Sequence, residues 1–336
     1  MFSIAGMELS NNVVLAPMSG VSDLPFRRAA ACFGAGLVVS EMVASEELAR
    51  ARRDVVRRAA GDGEIFPFVV QLAGREAQWM AEGARLAQAA GADMIDINMG
   101  CPSRQVTGVL SGSALMRDLD NALQLIEATV AATSKPVTLK MRLGWDWDSL
   151  NAPELASKAQ SAGVQAITVH GRTRCQFFAG EADWSAVRAV KDVVSLPVIV
   201  NGDIVDDETA RQALAQSGGD GVMIGRAATG RPWLAGAIAT ALATGDPMTP
   251  PPLEAQKEAA LRHYAETIAH YGEPLGVRMA RKHLAAYVEH APVDMDPAHR
   301  RAFRAAICRM AAPSRVEDAL AALFERDYAA LERFAA

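Results

Sequence analysis

Short apolar runs, rich in β-branched residues, recur along the first 245 positions, at 13–16, 37–40, 67–72, 94–98, 137–141, 166–170, 197–201 and 221–224. Nearly all are continuously apolar rather than alternating, the pattern of strands covered on both faces. Between them, 76–90, 119–133, 152–162 and 208–216 are rich in Ala, Leu, Glu and Arg and read as helices. Gly91 and Gly163 follow two of these where a C-terminal cap belongs. Eight strand–helix units in about 240 residues predict an α/β fold closed into a (β/α)₈ barrel of the TIM type. A doubly wound open sheet competes, but the GxGxxG that should follow its first strand is missing.

The pattern changes at Asp246-Pro-Met-Thr-Pro-Pro-Pro252. This stretch, 246–252, reads as a proline-rich linker. Beyond it the β-branched runs stop, and 253–336 reads as helices interrupted near 272–274, 292–297 and 313–314. The expected organisation is a catalytic barrel over 1–245 followed by an all-α domain over 253–336.

Composition narrows the class. The chain has 336 residues, 50% hydrophobic and 22% charged, with a net charge of -5. That balance excludes a protein that coats nucleic acid with its whole surface, while leaving room for a local basic patch. Neither a signal peptide nor a run near the ~18 apolar residues of a membrane span is visible, so no membrane is expected. The four cysteines, Cys32, Cys101, Cys175 and Cys308, show no metal-ligand spacing. The reading is a cytoplasmic protein without structural metal. The oligomeric state is not legible, and a monomer is the default.

Function in a barrel sits at the C-terminal ends of the strands, and there the polar residues collect. Strand one runs into Pro17-Met18-Ser19, strand three ends at Gln71, and strand four at Asn98-Met-Gly-Cys101-Pro102. Strand five brings Lys140 and Arg142, and strand six brings His170-Gly-Arg172-Thr173. Strands seven and eight end in Asn201-Gly202-Asp203 and Gly225-Arg226-Ala227. Glycines after these last two strands fit a phosphate site, with Arg226 as counter-charge, although either motif alone is also an ordinary turn. Lys140 and His170 on adjacent strands suit the neighbourhood of a flavin, whose reduced ring gains negative charge. The alternative is a salt-bridged lysine and a satisfied core histidine. Cys101 stands in a rigid turn at the mouth, where a thiol, mostly protonated near neutrality, can donate a proton. Cys32 and Cys308, set among alanines, read as small buried hydrophobes.

In the helical segment, seven Lys/Arg lie between 278 and 309 against three acids. Arg278, Arg281 and Lys282 share one helix face, which could track phosphates or simply be solvated.

Taken together, Ala16-Pro-Met, Asp96-Ile-Asn98-Met-Gly-Cys101-Pro, Lys140-Met-Arg142-Leu-Gly144, His170-Gly-Arg172-Thr173, Asn201-Gly-Asp203, Gly225-Arg226-Ala227 and Arg278-Met-Ala-Arg281-Lys282-His283 resemble the tRNA-dihydrouridine synthases. The likeness is closest to the bacterial B-type subfamily and covers nearly the whole chain. It implies FMN held by Pro17, Met18, Ser19, Gln71, Lys140, His170, Asn201, Gly202, Asp203, Gly225 and Arg226, with NADPH as reductant. It implies tRNA as substrate, reduced at C5–C6 of a D-loop uridine, with hydride from flavin N5 and the proton from Cys101. Asn98 and Arg172 would lie near the target uracil, and Arg278, Arg281 and Lys282 on a tRNA-binding helical domain. Gln105 stands where the family usually has lysine, with Arg104 beside it as a substitute charge. A small-molecule flavin reductase on the same barrel is the rival reading, and a tRNA-binding protein with an inert barrel is a second.

Overall fold

The computed structural model describes residues 2–61 and 63–335. Among the described residues, eight strand positions, all paired in parallel, form a closed (β/α)₈ barrel, and five helices follow it. Strand one is Val13–Leu15, strand three Val69–Ala73, strand four Met94–Met99 and strand five Val137–Arg142. Strands six, seven and eight are Ile167–His170, Val198–Asn201 and Gly221–Ile224.

Strand two, expected to be continuous over 37–40, is broken. Leu37–Val38 pairs with strand one and Val43–Ala44 with strand three. A bridge from Val39 to Val69, and a 3.1 Å bond from Ser40 N–H to the Val69 carbonyl, close the gap. The break has a polar cause. The Ser40 hydroxyl accepts the Gln71 N–H at 2.9 Å, and buried Glu41 turns aside to accept the Gly20 N–H in the loop after strand one.

Alternate residues of each strand serve two cores. Val13 and Leu15 pack outward against the helices, whereas Val14, Met94, Ile199 and Met223 fill the interior. A hairpin of Phe2–Ile4 and Met7–Leu9, absent from the sequence reading, adds Ile4 and Leu9 to that interior cluster. The four expected barrel helices are present as Ala77–Ala89, Leu119–Ala131, Ala152–Ser161 and Asp207–Ser217. The last begins with a capping box on Asp206 and ends on left-handed Gly218. Leu24–Cys32 covers the alanine-rich stretch around Cys32, and a second helix on this side, Leu234–Thr244, escaped the sequence reading. The second is a uniformly apolar run, without the polar stripe that marks a surface helix. It lies so near the preceding layer that a side chain at Gly236 would overlap the Phe33 carbonyl.

Residues 246–252 carry no helix or strand. The tail helices are Leu253–Tyr271, Glu273–His290, Pro297–Ile307, Pro313–Glu325 and Tyr328–Ala335. Pro274, Pro297 and Pro313 sit in first turns, so the prolines read as interruptions are helix starts. The tail has its own core, including Tyr264, Leu284, Phe303 and Leu323, and Trp233 of the barrel joins it. Barrel and tail also meet where Phe26 stacks on His263 and His283, at 5.4 and 5.0 Å between ring centres.

Candidate active site at the barrel mouth

Parallel pairing sets Gln71 beside Asp96 and Asn98 beside Lys140 at the strand ends. Their side chains form one buried chain of hydrogen bonds. Thr138 donates to Asp96 at 2.6 Å, and Gln71 donates to the other Asp96 oxygen at 2.6 Å. Asn98 donates to the Gln71 carbonyl oxygen at 2.8 Å and accepts the Cys101 N–H at 3.0 Å. Ser113 binds the Cys101 carbonyl at 2.8 Å from the far side. The turn carrying the thiol is thus fixed through its backbone from two directions, which leaves the half-buried Cys101 side chain at the mouth. Burial pushes the Asp96 carboxyl up, against the pull of the Thr138 and Gln71 bonds.

Lys140 is buried and donates to the Asn201 side chain at 3.1 Å, while Asn201 donates to the Met223 carbonyl at 2.8 Å. Burial lowers its ammonium to about 8, and Arg142 adds to the shift while Asp96 and Cys101 oppose it. Cys101 therefore lies within electrostatic reach of both Lys140 and Arg142. Arg142, a motif residue without an assigned role in the sequence reading, is 1% exposed. Its guanidinium binds the carbonyls of Gly100 at 2.9 Å, Thr173 at 2.7 Å and Phe177 at 2.9 Å. It ties the thiol turn to the loop after strand six.

On the opposite rim, Arg172 makes a forked pair with Asp203, at 3.0 and 2.5 Å, and donates to the carbonyls of Ala179 and Gly180. Its remaining contact is His170 Nε2 at 3.2 Å. At 2% exposure the guanidinium has its donors engaged inside the protein. The structure places this side chain against Asp203 and His170. Burial, and then the cations Lys140 and Arg142, push the His170 imidazole far below its usual range, so its ring is neutral.

Two glycine turns complete the rim. Gly202 takes φ +117°, and a side chain there would meet Ala182 and the His170 ring. Asp203 follows at φ 54°. Beside Gly225, by contrast, an added Cβ would find only Ala16, at 4.0 Å. Among the described residues, the backbone N–H groups of Gly202, Asp203, Gly225 and Arg226 make no hydrogen bond within the protein. Arg226 is exposed, lies over the Phe178 ring at 4.7 Å and approaches Asp203 at 3.8 Å. Unpaired N–H donors at two adjacent strand ends, beside an arginine, suit a phosphate monoester.

Pro17, Met18 and Ser19 form the rim after strand one, in a turn held by the Ser22 hydroxyl on the Met18 N–H at 2.7 Å. Gly20 joins two contacts that the sequence did not disclose, accepting from Lys282 of the tail and donating to Glu41. The basic face divides accordingly. Arg278 and Arg281 are exposed, whereas Lys282 turns inward and contacts the Gly20 carbonyl of the barrel. Arg104 and Gln105 are exposed on a short turn, Arg104–Thr107, next to the thiol loop. Cys32, expected to be buried, is exposed, and Cys308 is half-buried.

The dihydrouridine synthase (Dus) family model matches residues 14–326, from strand one through the fourth tail helix. The chain belongs to the dihydrouridine synthase family. Among its relatives, a "Probable tRNA-dihydrouridine synthase" of Rhizobium leguminosarum bv. phaseoli is 54% identical over 84% of this chain and 87% of its own. One of the same name from Rickettsia conorii is 46% identical over 96% of both chains. A "tRNA-dihydrouridine synthase B" of Xanthomonas axonopodis pv. citri is 44% identical over 97% of this chain and 95% of its own. Membership makes this an enzyme of an oxidoreductase family. Among the described residues no helix is long and apolar enough to cross a membrane.

Proposed function

We propose that this protein is an FMN-dependent tRNA-dihydrouridine synthase, reducing C5–C6 of a D-loop uridine with NADPH as electron source. The observation that carries the reading is the turn at Cys101. Asn98 and Ser113 clamp its backbone while its thiol remains free at the mouth, within reach of Lys140 and Arg142.

FMN fits the residues present. The unpaired N–H groups of Gly202, Asp203, Gly225 and Arg226, with the Arg226 guanidinium, would take its phosphate. Lys140, Gln71 and neutral His170 would face the ring system, and Pro17, Met18 and Ser19 its edge. When bound, the flavin supplies the hydride that uracil C6 receives. Lys140 sets a positive charge beside the place where negative charge accumulates on reduction. Cys101 delivers a proton to C5 from the opposite side of the reacting bond, so the double bond gains one hydride and one proton. Asn98 orients the uracil as well as the thiol turn. Arg172 acts through Asp203 and His170 rather than by contact.

A target base inside folded RNA has to leave its stack to reach such a mouth. Arg278 and Arg281 lie on the exposed side of the tail helix that Lys282 docks to the barrel, where they would hold the RNA backbone. The direct test is nucleoside mass spectrometry of unmodified tRNA incubated with the enzyme, FMN and NADPH. Dihydrouridine at one defined position supports the reading. Unchanged tRNA together with reduction of a free pyrimidine or enone would establish the small-molecule reductase instead.

A further inference from the structure

Residues far apart in sequence converge where the tail meets the barrel. Asp23 opens the barrel helix Leu24–Cys32, His263 lies on the first tail helix and His283 on the second. All three are buried, at 4, 2 and 2% exposure, and one potential ligand atom from each lies within 4.8 Å of the others. The histidine ring nitrogens are poorly satisfied. His263 Nδ1 is engaged by the Tyr287 hydroxyl at 3.0 Å, but its Nε2 has no partner. His283 faces the backbone of Val21, yet neither of its ring nitrogens makes a hydrogen bond. Asp23 caps its helix by accepting the Phe26 N–H at 3.1 Å.

A buried ring nitrogen left unpaired is costly, and clusters of such atoms in native proteins call for a water or an ion. We propose that Asp23, His263 and His283 bind a divalent cation of the zinc class, pinning the helical tail to the loop after strand one.

The donor set fits that class. Two imidazoles and a carboxylate suit Zn²⁺ and its late first-row neighbours and leave a fourth position for water. Tyr287 on His263 Nδ1 is the outer partner that fixes which nitrogen a ligating histidine presents. Bonds of about 2.0–2.1 Å place tetrahedral donors about 3.4 Å apart, so the three side chains would close in slightly. Asp23 also lines a cavity of about 210 Å³ between barrel and tail, bordered by Ser19, Gly20 and Tyr271. Arg27 and Glu41 are the charged groups facing Asp23, and Lys282 faces His283. The spacing rules for metal sites could not find this cluster, because its ligands sit at positions 23, 263 and 283 of the chain.

The test uses untagged full-length protein stripped with a chelator, then titrated with Zn²⁺ and, separately, with Co²⁺. The proposal predicts one equivalent bound per chain at micromolar metal, a visible Co²⁺ spectrum of tetrahedral intensity, and a raised melting temperature. Near-isosteric Asp23→Asn, His263→Gln and His283→Gln should each weaken binding at least tenfold. The wild-type titration stands even if a variant fails to fold. No binding by the wild type would overturn the proposal. Binding unchanged in all three variants would also overturn it, placing the ion elsewhere, as at exposed His299 and Asp296.

Discussion

Arg172 and Asp203, contributed by the loops after strands six and seven, form a two-pronged ion pair at 3.0 and 2.5 Å beneath the rim of the mouth. The pair matters because Asp203 sits at positive φ and also accepts the Ala182 N–H at 2.8 Å. Without the fork, the Gly202–Asp203 turn loses the anchor that aims its N–H groups.

Arg172→Met should therefore lower stability by about 2–4 kcal/mol, since it strands a partly buried carboxylate. FMN affinity should fall with it, as measured by denaturant unfolding and flavin fluorescence quenching. Arg226→Gln should separate the two effects. Its side chain is 65% exposed, so stability should hold within about 0.5 kcal/mol while FMN binding weakens.

Lys140 gives the site a pH limb. With its ammonium lowered to about 8, the group is charged below that pH and neutral above it. FMN affinity of the apoprotein should fall as pH rises through about 8, and Lys140→Met should be weaker throughout and flat across that window. The stability contribution runs the opposite way with pH. A folded pKa below the ordinary 10.5 means the charged form is disfavoured by the fold, so stability present above 10.5 declines as pH falls toward 8.

Cys101→Ala should retain bound FMN and normal NADPH oxidation while dihydrouridine formation on RNA drops by about 10²–10⁴-fold, the usual worth of a positioned acid. Normal RNA turnover in that variant would remove the thiol from the reaction.

The tail face predicts a division of labour. Arg278→Gln with Arg281→Gln should weaken tRNA binding and reduce the slope of log affinity against log salt by about 1–2. Lys282→Met should leave that slope unchanged and instead lower the melting temperature, because its ammonium contacts the Gly20 carbonyl rather than solvent.

What the sequence disclosed follows from the range over which each signal acts. Strand and helix periodicity is local, and the barrel was legible from it. The same holds for the glycine turns after strands seven and eight, where residue type and position in the fold coincide. The second piece of strand two, Val43–Ala44, went unread because Ser40 and Glu41 interrupt the apolar run for a reason that lies elsewhere in the fold, at Gln71 and Gly20. Arg172 was placed near the uracil by the resemblance alone, and only the fold shows its guanidinium bonded to Asp203 and the 179–180 carbonyls. Lys282 was grouped with Arg278 and Arg281 by helical spacing, which places a Cα on a face but does not say where a flexible ammonium ends. The Asp23, His263 and His283 cluster lies beyond any local pattern.

The proposed reaction passes a hydride and a proton to a uridine held in folded RNA. Its most direct test is anaerobic: reduce the FMN-loaded protein with NADPH, then follow flavin absorbance after adding unmodified tRNA, with free uridine in parallel. The account predicts rapid reoxidation by tRNA and none by uridine. Reoxidation by a free pyrimidine or an enone, with no response to tRNA, would contradict it.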